Sequence, residues 1–184
     1  MPNAKVQGQS QVPLADSAHD AVDHIVAQWQ REMPGLESGN MILFGRLKRC
    51  TALLQARLET VFAEHGLNTA SFDVLATLRR AGRPYRLTPT ALFESLMVTS
   101  GTMTNRLQRL EDKGLIQRLP NPEDARSQLV QLTPQGKALI EKVVVLHVEN
   151  ERTILDQLPP YTRQQLEEGL KALMKVLEEN SSPI

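Results

Sequence analysis

The chain has 184 residues, of which 41% are hydrophobic and 23% charged, and its formal net charge is zero. This length is enough for one domain with its own core and a separate dimerisation stem. No segment approaches the roughly 18–20 apolar residues of a membrane span, and the N-terminus lacks the apolar stretch of a signal peptide. A single cysteine excludes an intrachain disulfide and a cysteine-rich metal site. We therefore expect a cytoplasmic protein without a metal or cofactor.

Charge is distributed unevenly along the chain. Residues 1–78 hold 6 basic and 8 acidic side chains, and residues 133–184 hold the same numbers. Residues 79–132 hold 9 basic and 5 acidic side chains, a net charge of +4. A basic excess confined to one segment is what a phosphate-facing surface requires, although a run of charge is also compatible with an ordinary solvated face.

The N-terminal part predicts an arm followed by an extra helix. Residues 1–15 are polar and show no periodicity, which favours a flexible arm. Residues 16–36 predict a helix that Asp16 or Ser17 can cap. Trp29, the only tryptophan, lies on the apolar line of this helix.

Two further segments predict long amphipathic helices. Apolar residues at spacings of three and four run through residues 37–68. Residues 133–180 predict two helices: Thr133-Pro134 opens the first, and Pro159-Pro160 separates it from the second. These helices cannot bury their apolar faces alone, so we predict that they form the dimerisation stem of a homodimer.

Residues 69–132 predict a winged helix-turn-helix. The predicted elements are, in order, a helix capped by Thr69, a helix opening at Thr88-Pro89, a helix capped by Thr99 and ending at Gly114, and strands at 115–119 and 127–132. Helix, tight turn, helix and basic hairpin is the layout of a DNA-binding unit. The predicted fold class is therefore mainly α with a small β-hairpin wing, flanked by the helices of the stem.

The second motif helix has one apolar and one polar face. Met103, Leu107 and Leu110 fall within about 60° of one another on a helical wheel. Amide, hydroxyl and arginine side chains on the other side suit the major groove, and an arginine at the wing tip suits the minor groove. The predicted DNA contacts are Ser100, Thr102, Thr104, Asn105, Gln108 and Arg109 of the helix and Asp124 and Arg126 of the wing. We expect Asp124 to hold the Arg126 guanidinium outward, and Arg106, about 60° from the apolar centre, to point back toward the protein.

These motifs resemble those of the MarR family of dimeric bacterial transcriptional regulators. The matching segments are SGTMTNR at 100–106, LEDKGLI at 110–116, DAR at 124–126 and LTPQG at 132–136. The resemblance covers residues 38–180 and implies a ligand-responsive regulator, in the role of a repressor, that binds a pseudo-palindromic operator as a homodimer. Many family members have an arginine where this chain has Asn105.

The Thr-Asn-Arg segment at 104–106 is similar to that of the urate-responsive, HucR- and PecS-like branch of the family. That branch adds a helix with a tryptophan before the family core and uses an aspartate and two arginines for its ligand. The resemblance implies that Trp29, Asp73, Arg106 and Arg118 bind a small anionic aromatic or purine ligand such as urate. The chemistry agrees, because a tryptophan suits a flat ring and two arginines suit an anion. Taken alone, each residue also has a purely structural interpretation.

Three alternatives compete with this interpretation. A redox-sensing regulator would use Cys50, although a thiol in an apolar stripe is more often an inert small hydrophobe. An enzyme is disfavoured because the histidines are scattered and no catalytic motif is present. A protein-binding module that has lost DNA contact is disfavoured by the intact set of Asn105, Arg109 and Arg126.

Overall fold

The computed structural model describes residues 19–96, 103–124 and 126–180, which are mainly helical with one small sheet. In chain order the elements are α1 (Ala21–Glu32), α2 (Asn40–Ala63), α3 (Thr69–Arg80), β1 (Arg86–Leu87), α4 (Pro89–Leu96), α5 (Met103–Asp112), β2 (Ile116–Pro120), β3 (Gln128–Leu132), α6 (Pro134–Leu155) and α7 (Pro160–Glu179). The predicted fold class is confirmed. Among the described residues, no helix combines the length and apolar content that a bilayer span requires. The predicted arm, residues 1–15, and the predicted caps Asp16, Ser17 and Thr99 lie outside the described residues.

The chain divides into two compact units, Met1–Leu54 and Gln55–Ile184. In the first unit, Asp20 caps α1, so the helix begins after the position that the sequence predicted. The Asp20 carboxylate accepts hydrogen bonds from the backbone N–H groups of Val22, at 2.7 Å, and Asp23, at 3.1 Å, and Asp23 accepts one from the Asp20 N–H in return. This reciprocal capping box satisfies backbone donors that are otherwise free at a helix start.

The first turn of α1 packs closely on α2. A Cβ atom added to Gly45 would lie 2.7 Å from Cγ1 of Val22, so the contact requires glycine. Beside it, Arg46 donates to the carboxylates of Asp20, at 2.8 Å, and Asp23, also at 2.8 Å. The charge of Arg46 thus joins the capping box of α1 to the neighbouring helix.

The second unit is built around α3. Val74, Leu75 and Leu78 of this helix are fully buried and lie in a core shared with α4, α5, the sheet and α6. The cap of α3 is Asn68, whose side chain accepts from the Ser71 N–H at 2.8 Å, and not Thr69 as predicted. Thr69 is the first helical residue, and its backbone N–H and hydroxyl both bond to Glu59.

The sheet has three strands in the order β1-β3-β2, whereas the sequence predicted a two-stranded hairpin. A two-residue strand is too short to show alternation, so β1 carried no sequence signal. Arg118 of β2 and Leu87 of β1 both pair with Val130 of β3. Because paired residues share a face, Arg118 lies on the same side of the sheet as the buried Val130.

Helix α6 begins as predicted, with Thr133 accepting from the Gly136 N–H at 3.0 Å and proline in the first turn. It buries Ile140 and Val143 in the core. Helix α7 has no buried residue over its 20 positions. Its exposed apolar side chains include Leu166, Leu170, Met174 and Val176.

Candidate DNA-binding surface and ligand site

The two faces of α5 differ as the helical wheel predicted. Leu107 and Leu110 are buried in the core. The side chains predicted to contact DNA are exposed at each described position, namely Thr104, Asn105, Gln108 and Arg109. Ser100, Thr102 and the side chain of Met103 lie outside the described residues. A polar face with amide and guanidinium groups can bond to base edges in a major groove.

The C-terminal end of α5 is anchored to the turn between α2 and α3. Lys113 donates to the Gly66 carbonyl oxygen at 2.7 Å, and Gln108 donates to Asp112 at 2.9 Å. The bond to Asp112 limits the rotamers of Gln108 on the exposed face. The contact of Lys113 fixes the end of the helix against the domain.

The wing tip is ordered by hydrogen bonds among its own residues. Asp124 accepts from the backbone N–H of Arg126 at 2.9 Å, and Asn121 donates to the Ser127 hydroxyl at 2.7 Å. The contact of Asp124 is therefore with the main chain of Arg126, whereas the sequence led us to expect that this carboxylate holds the guanidinium. The Arg126 side chain is exposed.

Asp73 and Arg106 face each other on the inner side of the recognition helix α5. Burial raises the pKa of the partly buried Asp73 carboxyl, and the charges of Arg106, His147 and Arg80 oppose this rise. Burial outweighs them, so the site favours the uncharged acid more than water does. The Nη1 atom of Arg106 is buried without a hydrogen-bond partner among the described residues. A buried donor left unpaired costs about 1–3 kcal/mol.

Sequence reasoning missed two members of this cluster, Arg80 and His147. Arg80 donates to the Thr77 hydroxyl at 2.9 Å. His147 is mostly buried and follows Ile140 and Val143 at helical spacing, on the buried line of α6. That spacing was the available signal, because a histidine in line with core residues must lie against the core.

Arg118 lies on the other flank of α5. Its Nε atom is 3.4 Å from one carboxylate oxygen of Glu111, and the other oxygen accepts from the Arg118 backbone N–H at 3.2 Å. Five residues separate Arg106 from Glu111, which places their side chains about 140° apart on the helix. The structure therefore brings Asp73 and Arg106 together and places Arg118 with Glu111.

Trp29 and Cys50 belong to the first unit. Trp29 lies on α1 with 41% of its surface exposed, and Cys50 is an exposed free thiol on α2. Among the described residues, no three histidine, cysteine or acidic side chains are grouped in a way that could hold a metal ion.

Comparison with known proteins gives consistent results. The family model described as "MarR family" matches residues 67–128. The chain is 42% identical over 159 residues to the HTH-type transcriptional regulator PecS of Dickeya dadantii, covering 86% of this chain and 93% of that protein. It is 30% identical over 121 residues to the HTH-type transcriptional repressor YetL of Bacillus subtilis, covering 66% and 72%. The redox alternative based on Cys50 gains no support from these relatives.

Solved structures share the fold. A mutant MarR of E. coli complexed with operator DNA is similar with a TM-score of 0.59 and 29% identity, covering 79% of this chain and 96% of that chain. The MarR family transcriptional regulator Sco3205 of Streptomyces coelicolor, in complex with DNA, gives a TM-score of 0.69 at 24% identity, covering 80% and 91%. Both structures have the winged helix architecture of this chain.

Proposed function

The chain belongs to the MarR family of DNA-binding transcriptional regulators, and we propose that it is a repressor whose operator binding is controlled by a small anionic ligand. The proposed regulator is a cytoplasmic homodimer on a pseudo-palindromic, double-stranded operator. A small anionic aromatic or purine ligand, such as urate, releases it from the DNA.

The exposed face of α5 supports the proposed mode of DNA binding. Asn105 and Gln108 carry amides that suit adenine, and Arg109 carries a guanidinium that suits guanine. The net charge of +4 on residues 79–132 adds attraction for phosphates. Arg126, exposed at the wing tip, is proposed to enter the adjacent minor groove.

The C-terminal helix supports the proposed homodimer. A helix of 20 residues with no buried side chain gains little stability from its own chain. The exposed line of Leu166, Leu170 and Met174 recurs at spacings of four, which is typical of a helix that packs against a partner helix. A second copy of the chain supplies such a partner.

The single observation that carries the proposed ligand control is the meeting of Asp73 and Arg106. Arg106 belongs to the helix that is proposed to contact DNA, yet its Nη1 atom is buried and its charge acts on Asp73 of α3. A group at this position connects the interior of the domain to the DNA-facing helix. We propose that Trp29, Asp73, Arg106 and Arg118 contact the ligand.

The proposed mechanism follows from the charges. A bound anion attracts Arg106 and repels an ionised Asp73, so it alters the contact that joins α5 to α3. A shift of α5 in each subunit changes the separation of the two recognition helices, which must match one turn of DNA, about 34–36 Å. The ligand releases DNA because it binds the shifted state more tightly than the DNA-binding state.

Operator binding in the presence of ligand tests this function. A labelled fragment from upstream of the protein's own gene is titrated with protein, and fluorescence anisotropy gives the affinity. Urate is expected to lower the affinity by about 5–150-fold, the usual range of allosteric coupling. Trp29 fluorescence gives the affinity for urate in the same buffer.

Two matched variants control the experiment. Arg106→Gln removes the charge of the inner site, and we expect it to abolish the response to urate. Arg152→Gln removes an exposed arginine of α6, which bonds to Glu149 and Asp156, and we expect it to leave the response intact. An unchanged operator affinity of the wild type at saturating urate would contradict urate control, and failure to bind the fragment at all would contradict the proposed operator.

A further inference from the structure

A third polar group, the imidazole of His147, lies beside Asp73 and Arg106. Its ring contacts two stacked phenyl rings, with centroid distances of 4.8 Å to Phe72 and 5.3 Å to Phe62. Its Nε2 atom is 3.2 Å from a carboxylate oxygen of Glu151. Held by two aromatic rings and one carboxylate, the imidazole has little freedom to rotate.

The contact with Glu151 sets the hydrogen-bonding role of the other ring nitrogen. An ionised carboxylate only accepts hydrogen bonds, so Nε2 carries the proton, and Nδ1 of the neutral ring is an acceptor. This Nδ1 atom is buried without a hydrogen-bond partner among the described residues, as is the Nη1 donor of Arg106. Both side chains act electrostatically on Asp73. Three helices, α3, α5 and α6, thus bring an unpaired acceptor and an unpaired donor to one partly buried carboxyl group.

We propose that His147 is a ligand-recognition residue whose Nδ1 atom accepts a hydrogen bond from the ligand, while Nη1 of Arg106 donates one to the ligand's oxyanion. This inference rests on the proposed function and narrows its ligand class. The site selects a flat anion that carries an N–H donor beside its oxyanion, as a purine does. A simple aromatic carboxylate such as benzoate supplies no such donor and leaves Nδ1 unpaired.

The position of these atoms also explains how binding reaches the DNA-facing helix. Both unpaired atoms are buried, so a ligand that bonds to them must separate α5 from the helices packed against it. In the separated state both atoms gain partners that they lack in the ligand-free protein. The ligand therefore binds that state preferentially, which is the condition for shifting an equilibrium.

A set of methylated urates tests the proposal without relying on one variant. Methylation at ring nitrogens 1, 3, 7 or 9 removes one N–H at a time. Affinities of wild-type protein for urate, the four monomethylurates and benzoate are measured by Trp29 fluorescence and by release of labelled operator. We expect one methylurate to bind more weakly than urate by about three- to tenfold beyond the others, the effect of one lost neutral hydrogen bond.

Two variants of His147 complete a thermodynamic cycle. His147→Gln keeps a polar group toward Glu151 but removes the acceptor at the Nδ1 position, whereas His147→Asn places an amide oxygen near that position. We expect the glutamine variant to lose about three- to tenfold in urate affinity and to lose the discrimination against that methylurate, and the asparagine variant to retain both. A role confined to folding would not remove discrimination at a single ligand nitrogen.

The same experiment separates the failure of this inference from failure of the proposed function. If wild-type protein neither binds urate nor releases DNA, both are overturned. If it responds to urate but the glutamine variant discriminates as the wild type does, only the role of His147 is overturned. In case the variants fold poorly, ¹⁵N spectroscopy of labelled wild-type protein follows Nδ1 directly. A changed Nδ1 shift on urate binding supports the bond, and an unchanged shift overturns it.

Discussion

Glu111 holds Arg118 through both of its carboxylate oxygens, one 3.2 Å from the backbone nitrogen of Arg118 and one 3.4 Å from its Nε atom. The pair joins the recognition helix α5 to strand β2, on the flank opposite Arg106. If Arg118 also contacts the ligand, the anion must compete with Glu111 for its guanidinium.

This competition predicts the effect of Glu111→Gln. The variant keeps an oxygen for the backbone N–H but removes the charge that holds the guanidinium. Partly exposed ion pairs contribute about 0–1 kcal/mol, so we expect urate to bind up to about fivefold more tightly. Isothermal titration of the variant and the wild type measures the difference. Equal affinities would remove Arg118 from the proposed ligand site.

Asp73→Asn should change the pH dependence of stability. Because burial raises the pKa of Asp73, the folded protein binds this proton more tightly than the unfolded chain. The free energy of unfolding contributed by this group therefore falls as the pH rises from about 3.8 through the raised pKa. The variant lacks this fall, so its stability relative to wild type should increase across that interval. Urea unfolding at a series of pH values, followed by circular dichroism, tests this, and a relative stability independent of pH would contradict it.

Asp20→Asn should weaken the attachment of α1 to α2. Asparagine retains the helix cap but loses the charge that pairs with Arg46. The hydrogen bond from Arg46 lowers the pKa of Asp20 to about 2, so its contribution to stability is present above pH 3.8 and is lost as the pH falls to about 2. Trp29 fluorescence during urea unfolding reports on α1. We expect the variant to unfold at lower urea at pH 7 and the difference to vanish near pH 2.

Gly136→Ala should destabilise the second unit. A Cβ atom at this position would overlap the main-chain carbonyl oxygen of Leu115, which cannot move away as a flexible side chain could. Overpacking of this kind costs about 1–3 kcal/mol or more. Gly169→Ala on α7 is the control, since a Cβ there meets no atom within 4 Å, and we expect it to stabilise the helix by about 0.5–1 kcal/mol. Thermal unfolding of both variants measures the contrast, and equal losses would contradict it.

Arg109→Ala should weaken operator binding without affecting the ligand site. Arg109 is exposed on the outer face of α5, and loss of a bidentate contact to guanine costs about 1–3 kcal/mol. Anisotropy titrations with the operator and with unrelated DNA distinguish a base contact from a phosphate contact. A base contact predicts a loss confined to the operator. Unchanged binding to both DNAs would exclude Arg109 from the interface.

The sequence by itself determined the order of the elements and the class of protein. Helix starts such as Thr88-Pro89 and Thr133-Pro134 are local signals, because the capping group and the free N–H groups lie within one turn of each other. The same is true of the two faces of α5, since helical spacing alone separates Leu107 and Leu110 from Asn105. Sequence similarity then identified the family.

Only the tertiary structure decided which side chains meet. Strand β1 exists because Arg86 and Leu87 pair with a strand far along the chain, and two residues carry no periodicity of their own. His147 reaches Asp73, and Glu111 takes Arg118, through packing of separate elements. Such contacts depend on the arrangement of whole helices and strands, whereas helix starts and faces depend on neighbours in the chain. For this reason the winged domain could be predicted from its residues, and the unpaired acceptor beside Arg106 could not.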